Sequence, residues 1–358
     1  MKKIIIMMIL MLTVTGCNQA VDTVDDQTQT NVAPSNELDS SFYSIVDFGA
    51  SNIRTSYYTS FYSTVDFVKI GNGLQRLSSR VFSTDSYYLA DGNLLTSDDL
   101  TALLRRSSDP EEYPHTLQPQ RGTTIEGVAN PIMVSTIYEQ DFYQKSGGDF
   151  NLAGASFAIV VDPRDENNNR LDSQMTSTTI HDYSREIIPT MYEYVKSLED
   201  FKDVPVNIYV YLATDTSVND YNGGYILKSV EESGGIGTIE EVDDITVLFA
   251  STAASELDYN LNDAFSLFKK EIKDKAYEAV GIIGEGTYSS NSLVKFTIDV
   301  NINVKTYTEM IYLVSTVKEA ADDYLLDYPV TIMVSSQDEQ IAVINKAANK
   351  SGEAIMLV

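Results

Sequence analysis

Between Val294 and Val304 every second residue is apolar, and the residues between them are Lys295, Thr297, Asp299, Asn301 and Asn303. Side chains alternate sides along a strand, so this run is stable only as a strand with one dry face and one wet face. The dry face needs a sheet and a cover. Helical patterns on either side supply the cover. Leu257, Leu261, Ala264, Phe265, Phe268 and Ile272 share one helix face, with Ser255 as predicted cap and Asp258 three residues on. Met310, Val314, Val317, Ala321 and Tyr324 share another.

With strands predicted at Thr246–Ala250 and Val330–Val334, the order from Thr246 to Val334 is strand, helix, strand, strand, helix, strand. That is the ferredoxin-like order. Upstream, Ser156–Val161 and the alternating Val206, Ile208, Val210 and Leu212 read as strands. They bracket a helix through Ile187, Met191, Val195 and Leu198, with Pro189 near its start or kinking it. An internal echo accompanies this pattern. Asp203-Val204-Pro205-Val206-Asn207-Ile208-Tyr209-Val210 resembles Asp327-Tyr328-Pro329-Val330-Thr331-Ile332-Met333-Val334, each after a helix. The predicted fold class is α+β with mixed sheets, ferredoxin-like in the C-terminal part and preceded by a smaller, irregular α+β region.

That smaller region runs over residues 42–150, and the larger domain over 151–358. Leu74, Leu77 and Val81 have helical spacing. Tyr87 to Leu95 reads as a hairpin turning at Asp91-Gly92. A short helix follows, capped by Thr96 or Ser97, with Asp98 and Asp99 in its first turn and Arg105 and Arg106 in its last. Residues 109–130, with Pro110, Pro114 and Pro119, read as an irregular loop.

The beginning of the chain has a different character. Lys2 and Lys3 precede an unbroken apolar run from Ile4 to Leu12, continued by Thr13-Val14-Thr15-Gly16-Cys17. The run is too short to span a bilayer and fits the apolar core of a secretory leader over residues 1–16. Its end matches a bacterial lipobox, in which a diacylglyceryl transferase loads the Cys17 thiol and a signal peptidase cuts between Gly16 and Cys17. Cys17 is the only cysteine, so no disulfide competes for the thiol. Two or more acyl chains hold a protein on a membrane stably. The expected location is therefore the outer face of the cell membrane. Residues 17–41 carry no aromatic residue, Lys or Arg and are read as a disordered tether. Its reach is roughly 25–30 Å.

A formal charge of −27 argues against nucleic acid as a partner and against electrostatic membrane binding, leaving lipid as the anchor. Chemistry is sparse. The two histidines, His115 and His181, do not combine with carboxylates at zinc spacing, and no cofactor is implied. Gly154-Ala155-Ser156-Phe157-Ala158 lacks the last glycine of a nucleophile elbow. Asp165 to Asn169 begins like a calcium loop, but Arg170 and Thr176 break the pattern, so it reads as a solvated turn. Gly234–Gly237 and Gly281–Gly286 read as loops, and Glu240, Glu241, Asp243 and Asp244 as a wet acidic face. The expectation is a non-enzymatic binding or envelope protein with an unidentified ligand. The rival is a cell-envelope hydrolase working through carboxylates.

The lipobox, Tyr88-Leu89-Ala90-Asp91-Gly92, Ile137-Tyr138-Glu139-Gln140-Asp141-Phe142-Tyr143, Lys202-Asp203-Val204-Pro205-Val206 and Ser251-Thr252-Ala253-Ala254 resemble the CamS family of sex-pheromone-precursor lipoproteins of low-GC Gram-positive bacteria. Glu139 to Tyr143 is the most specific piece. The resemblance implies a short pheromone cut from the leader, here Leu10-Met11-Leu12-Thr13-Val14-Thr15-Gly16. Thr13 and Thr15 make it less aliphatic than the peptides of that family.

Overall fold

The computed structural model describes residues 31–32, 42–47, 66–171, 174–213, 221–275 and 279–357. Their dominant feature is one mixed sheet of thirteen strands built from the same unit used twice. In the first copy β3 (Tyr88–Asp91) leads through helix α2 (Ser97–Leu104) to the hairpin β6–β7 (Ile132–Ser146, Asp149–Arg164). Helix α3 (Ser177–Ser197) then leads to the pair β8–β9 (Val206–Leu212, Tyr221–Ser229). In the second, β10 (Ile239–Leu248) leads through α4 and α5 (Thr252–Leu257, Tyr259–Lys275) to the hairpin β11–β12 (Ala279–Ser289, Ser292–Ile302). Helix α6 (Tyr307–Tyr324) follows, then the hairpin β13–β14 (Val330–Ser336, Glu339–Lys346).

Pairing repeats along with the element order. The strand after each long helix joins its predecessor in parallel, β8 beside β7 and β13 beside β12, and every other junction within the copies is antiparallel. Ile208 sits opposite Phe157 as Ile332 sits opposite Ile298. The echo around Pro205 and Pro329 is thus the same joint seen twice. Strand β9 pairs antiparallel with β10 and makes the sheet continuous. Short strands finish it: β1 (Asn31–Val32) and β2 (Ser44–Asp47) at one end, β15 (Glu353–Met356) at the other. Residue 150 lies within β7. Of the tether region, only β1 falls among the described residues.

The α+β class and most elements agree with the sequence, but the ferredoxin-like arrangement does not form. Its split β-α-β unit holds an extra strand between parallel partners. Here α6 connects β12 directly to its parallel neighbour β13, and β10 to β13 lie in chain order. The hairpin expected at Tyr87–Leu95 is also absent. Strand β3 pairs instead with β2 and β6, because the carboxylate of Glu139 takes the amides of Leu94 and Leu95 that a return strand would need.

Helix α2 has its expected start, a capping box between Thr96 and Asp99, but stops at Leu104. Arg106 donates from Nη1 to the carbonyls of Asn130 and Pro131, at 2.8 and 2.9 Å, and holds down the irregular loop instead of closing the helix. That loop contains a small ribbon of its own, β4 (Thr124–Ile125) and β5 (Val128–Ala129). Val81 lies beyond α1 (Phe67–Ser78) and is exposed.

Helices α2 to α6 cover one side of the sheet. The first copy packs Phe157, Ile159, Ile208 and Val210 under α2 and α3, and the second packs Ile298, Val300, Ile332 and Val334 under α4 to α6. Burying each such side chain contributes about 1.5–3 kcal/mol. The dry face of β12 is as its alternation demands, although Val294, at its start, is exposed.

Gly281–Gly286 is not a loop but part of β11, and the glycines make room for aromatic rings. A Cβ on Gly284 would lie 2.5 Å from Cε2 of Phe265, and one on Gly286 2.7 Å from Phe249. Gly284→Val is expected to lower stability by about 1–3 kcal/mol through overpacking. Gly281→Ala, whose Cβ meets nothing nearer than Asn301 at 4.0 Å, is expected to be nearly neutral. Urea midpoints of the two variants test this, and equal losses would contradict the packing account.

On the other side of the sheet, among the described residues, lies α1 alone. Ile70, Leu74 and Leu77 press on Tyr138, Ala158, Val160, Tyr209, Tyr211 and Tyr225 of the first copy. Its cations reach across the seam into the second copy. Lys69 pairs with Glu285 at 2.9 Å, and Arg76 holds Asp244 through two bonds of 2.7 and 2.8 Å. The corresponding face of the second copy has no helix over it among the described residues. Ile283, the counterpart of Tyr138 by strand register, is 57% exposed.

Candidate functional site

The two motifs Tyr88–Gly92 and Ile137–Tyr143 meet in space. Strand β3 lies antiparallel to β6 with Tyr88 opposite Tyr143 and Asp91 opposite Gln140. Because side chains alternate, β6 grips a different partner on each face. On one face Gln140 donates from Nε2 to the carbonyl of Gly71 at 2.9 Å, and Tyr138 packs against Gly71 so closely that a Cβ there would lie 2.7 Å from its hydroxyl. Both contacts seat α1. Tyr138 also donates to Asp91 Oδ1 at 2.8 Å. On the opposite face Glu139 accepts from the amides of Leu94 and Leu95 at 3.0 and 3.1 Å. Gly92 passes against the Glu139 side chain, where a Cβ would come within 2.2 Å. The motif is therefore a pin through the sheet, fastening the 92–95 turn on one side and α1 on the other.

Asp141 stands two residues from Glu139 on the same face and is wholly buried. Burial pushes the Glu139 carboxyl up to about 7, although the two amide donors act in the other direction. Burial, and then the neighbouring charge of Glu139, hold the Asp141 carboxyl well above the usual carboxylate range. Two carboxyls this close and this dry do not both ionise readily. Perturbed acids of this kind are candidates for proton chemistry. Both are buried, and Glu139 holds the 92–95 turn through its two amide bonds.

A concave site lies in the second copy. A cavity of about 560 Å³ opens between the ends of β12, β13 and β14, lined by Lys295, Thr297, Thr331, Asn345, Lys350 and Glu353 among others. Its size falls within the range of small-molecule sites. Thr331 and Asn345 are bonded at 3.2 Å across β13 and β14, Oγ1 to Oδ1, which leaves the Asn345 amide nitrogen as a donor. The floor is anchored by Lys346, whose ammonium donates to the carbonyls of Leu325 and Leu326 at 2.8 and 2.7 Å. It thus caps the negative end of α6. The first copy solves the same corner with Lys196, on α3, which donates to the Val204 carbonyl at 2.9 Å and pairs with Glu231 at 3.3 Å.

The remaining candidates are dispersed. Cys17, Gly16 and the segment Leu10 to Gly16 lie outside the described residues. His115 packs on the ring of Tyr194, and Nδ1 of His181 is 3.1 Å from Glu241. Ser156 is buried in β7, where it accepts from Ser78 Oγ at 2.8 Å. Asp165 spends its carboxylate on the amides of Asn167 and Asn169 and the side chain of Asn169, all at 2.8 Å, as a self-contained turn does. Among the described residues no group of three or more His, Cys, Asp or Glu side chains could hold a metal ion.

The acidic stretch is wet only in part. Glu240 and Glu241 pair with Lys228 and Arg185, but Asp244 is turned inward. Asp244 shares with Val242 the side of the sheet that α1 covers, as alternation from Glu241 requires, and the bulge between Glu241 and Asp244 shifts only the register against β9. The cavity lining is not legible in the sequence, where Lys295 and Thr297 read as an ordinary wet face. Their convergence with Lys350 needs the parallel pairing of β12 with β13.

Comparison with known proteins bears on most of the chain. Residues 48–352 match the family model described as the CamS sex pheromone cAM373 precursor. No curated relative matches the chain in sequence. Among solved structures, the sex pheromone precursor of Lactobacillus salivarius subsp. salivarius UCC118 is similar, with a TM-score of 0.79 at 20% identity, over 92% of this chain and 99% of that one. The C-terminal domain of the sex pheromone staph-cAM373 precursor of Staphylococcus aureus is similar with a TM-score of 0.63 at 20% identity, over 85% of this chain and 97% of that one.

Proposed function

From the premise that the chain belongs to the CamS sex pheromone precursor family, we propose that it is a lipoprotein held on the outer face of the cell membrane by acyl chains on Cys17. We further propose that its discarded leader is the source of the heptapeptide Leu10 to Gly16, and that the remaining domain acts by binding. One observation carries the anchor reading: the sole cysteine stands directly after a short apolar run preceded by two lysines and ending in Thr15-Gly16. Among the described residues no helix is long and apolar enough to cross a membrane. Lipid on Cys17, added by diacylglyceryl transferase before signal peptidase cleavage, is the attachment this reading requires.

Two observations favour binding over catalysis. The buried Glu139 of β6 is occupied in fastening the 92–95 turn, and the cavity of the second copy presents lysines, hydroxyls and an amide beside apolar side chains and one carboxylate. The test of the anchor compares intact masses of the membrane-extracted protein and Cys17→Ala. The expected result is an added diacylglyceryl mass on the parent and none on the variant, which stays unprocessed. A parent of plain polypeptide mass released into the medium would sink the anchor. Synthetic Leu10 to Gly16 is expected to induce aggregation or plasmid transfer in responder cells. Silence across a wide concentration range would end the peptide claim.

A further inference from the structure

We propose that the cavity of the second copy is a binding site for a phosphate group carried by a small molecule. The proposal rests on the reading that the domain acts by binding and supplies the class of ligand. It starts from an imbalance of charge. The chain has 52 Asp and Glu against 25 Lys and Arg, and half of the described lysines hold a carboxylate. Lys69, Lys196, Lys202, Lys228, Lys270, Lys275 and Lys318 each hold a carboxylate. Lys295 and Lys350 hold none among the described residues; Lys145, Lys269, Lys273 and Lys305 hold none either, but only Lys295 and Lys350 of these six converge on one cavity. Two cations without a direct ion pair, brought together against the one carboxylate of the lining and the field of Asp299, create a local field that attracts an anion.

The duplicated fold shows that this corner need not be open. With Pro205 and Pro329 placed in correspondence, the strand registers match Ser156 to Thr297 and Gly154 to Lys295. In the first copy this corner is plugged. Phe82 packs on Gly154 so tightly that a Cβ there would lie 2.4 Å from its ring, and Ser78 donates to Ser156 at 2.8 Å. The second copy replaces the bare glycine by Lys295, keeps a hydroxyl at Thr297, and leaves a cavity of about 560 Å³ in place of the plug.

The donors choose the ligand. Lys295, Lys350, the amide nitrogen of Asn345 and the hydroxyl of Thr297 offer hydrogens from several directions, against one carboxylate, Glu353. Lysine is a compact point charge suited to a tetrahedral phosphate, whereas a planar carboxylate is matched by the fork of arginine, which the lining lacks. A bare phosphate fills only a small part of this volume. The ligand therefore carries further atoms that lie along the exposed β12–β13 face.

The full-length protein in detergent is to be titrated calorimetrically with glycerol 3-phosphate, inorganic phosphate and citrate. The same titrations are run on Lys295→Gln/Lys350→Gln and on a control pair outside the cavity, Lys273→Gln/Lys305→Gln. Glycerol 3-phosphate is expected to bind more tightly than inorganic phosphate. Its affinity should fall at least tenfold in the cavity variant and stay within twofold in the control. All four lysines are exposed, and an unchanged thermal midpoint will show that the variants fold. Absence of heat with either phosphate at millimolar concentration overturns the proposal. So does equal loss in both variants, or citrate binding as tightly as glycerol 3-phosphate. None of these outcomes touches the lipid on Cys17, which the mass measurement reads separately.

Discussion

Arg76→Ala is expected to destabilise the protein by about 3 kcal/mol, seen as a fall in urea midpoint, because it leaves a buried carboxylate without its cation. Asp244 has only 4% of its side chain exposed, and Arg76 supplies both of the bonds that compensate it. The reciprocal change is expected to be milder, about 1 kcal/mol for Asp244→Asn, since Arg76 already reaches water with 27% of its side chain. Removing both charges together, as Arg76→Met with Asp244→Leu, is expected to recover most of the loss. The cycle isolates what fastens α1 across the seam. A cost below about 0.5 kcal/mol for Arg76→Ala would mean that Asp244 rehydrates and that the apolar face of α1 suffices.

The second large effect concerns pH. The Glu139 carboxyl is pushed up to about 7 in the folded protein by burial, whereas in the unfolded chain it titrates near its ordinary value. The folded state therefore binds the proton more tightly. This contribution is complete below about pH 4.5 and is lost as pH rises through about 7. Between pH 5 and pH 8 the parent protein is expected to lose about 2–3 kcal/mol from this source, and Glu139→Gln to show a clearly flatter profile. Asp141, raised in the same direction, steepens the fall. Thermal midpoints across that window decide the matter, and parallel profiles for parent and variant would remove Glu139 from the explanation. A readout confined to the 92–95 turn, such as amide exchange at Leu94 and Leu95, should loosen first as pH rises.

What the sequence revealed and what it hid follow a physical pattern. Strand β12 and the face of α5 were readable because their periodicity answers to one partner surface, and the Pro205 and Pro329 joints because both halves preserve them. The start of the helical segment after β10 was misplaced by local ambiguity. Ser251, not Ser255, caps α4 by accepting from Ala254 at 3.1 Å, and Asp258 breaks the run and caps α5 by accepting from Leu261 at 3.0 Å. The inward turn of Asp244 comes from α1, distant in the chain, which covers its side of the sheet, and nothing within β10 itself announces that cover. Strand order was hidden for a different reason. The element sequence of a ferredoxin-like unit is compatible with several sheets, and only long-range pairing chose this one. The cavity was hidden likewise, since its lysines stand 55 positions apart in the chain, at Lys295 and Lys350.

Doubling a module also doubles its raw margins, and here the inner pair of margins is sealed where β9 meets β10. Among the described residues the outer pair is left to very brief strands, two residues of β1 beyond β2 and four of β15 beyond β14. Such stubs offer an intruding polypeptide few rungs to climb, and Glu353 adds charge at one of them. The long, apolar interior strands are thereby shielded from runaway stacking into fibres, a hazard that grows with every strand a continuous sheet acquires.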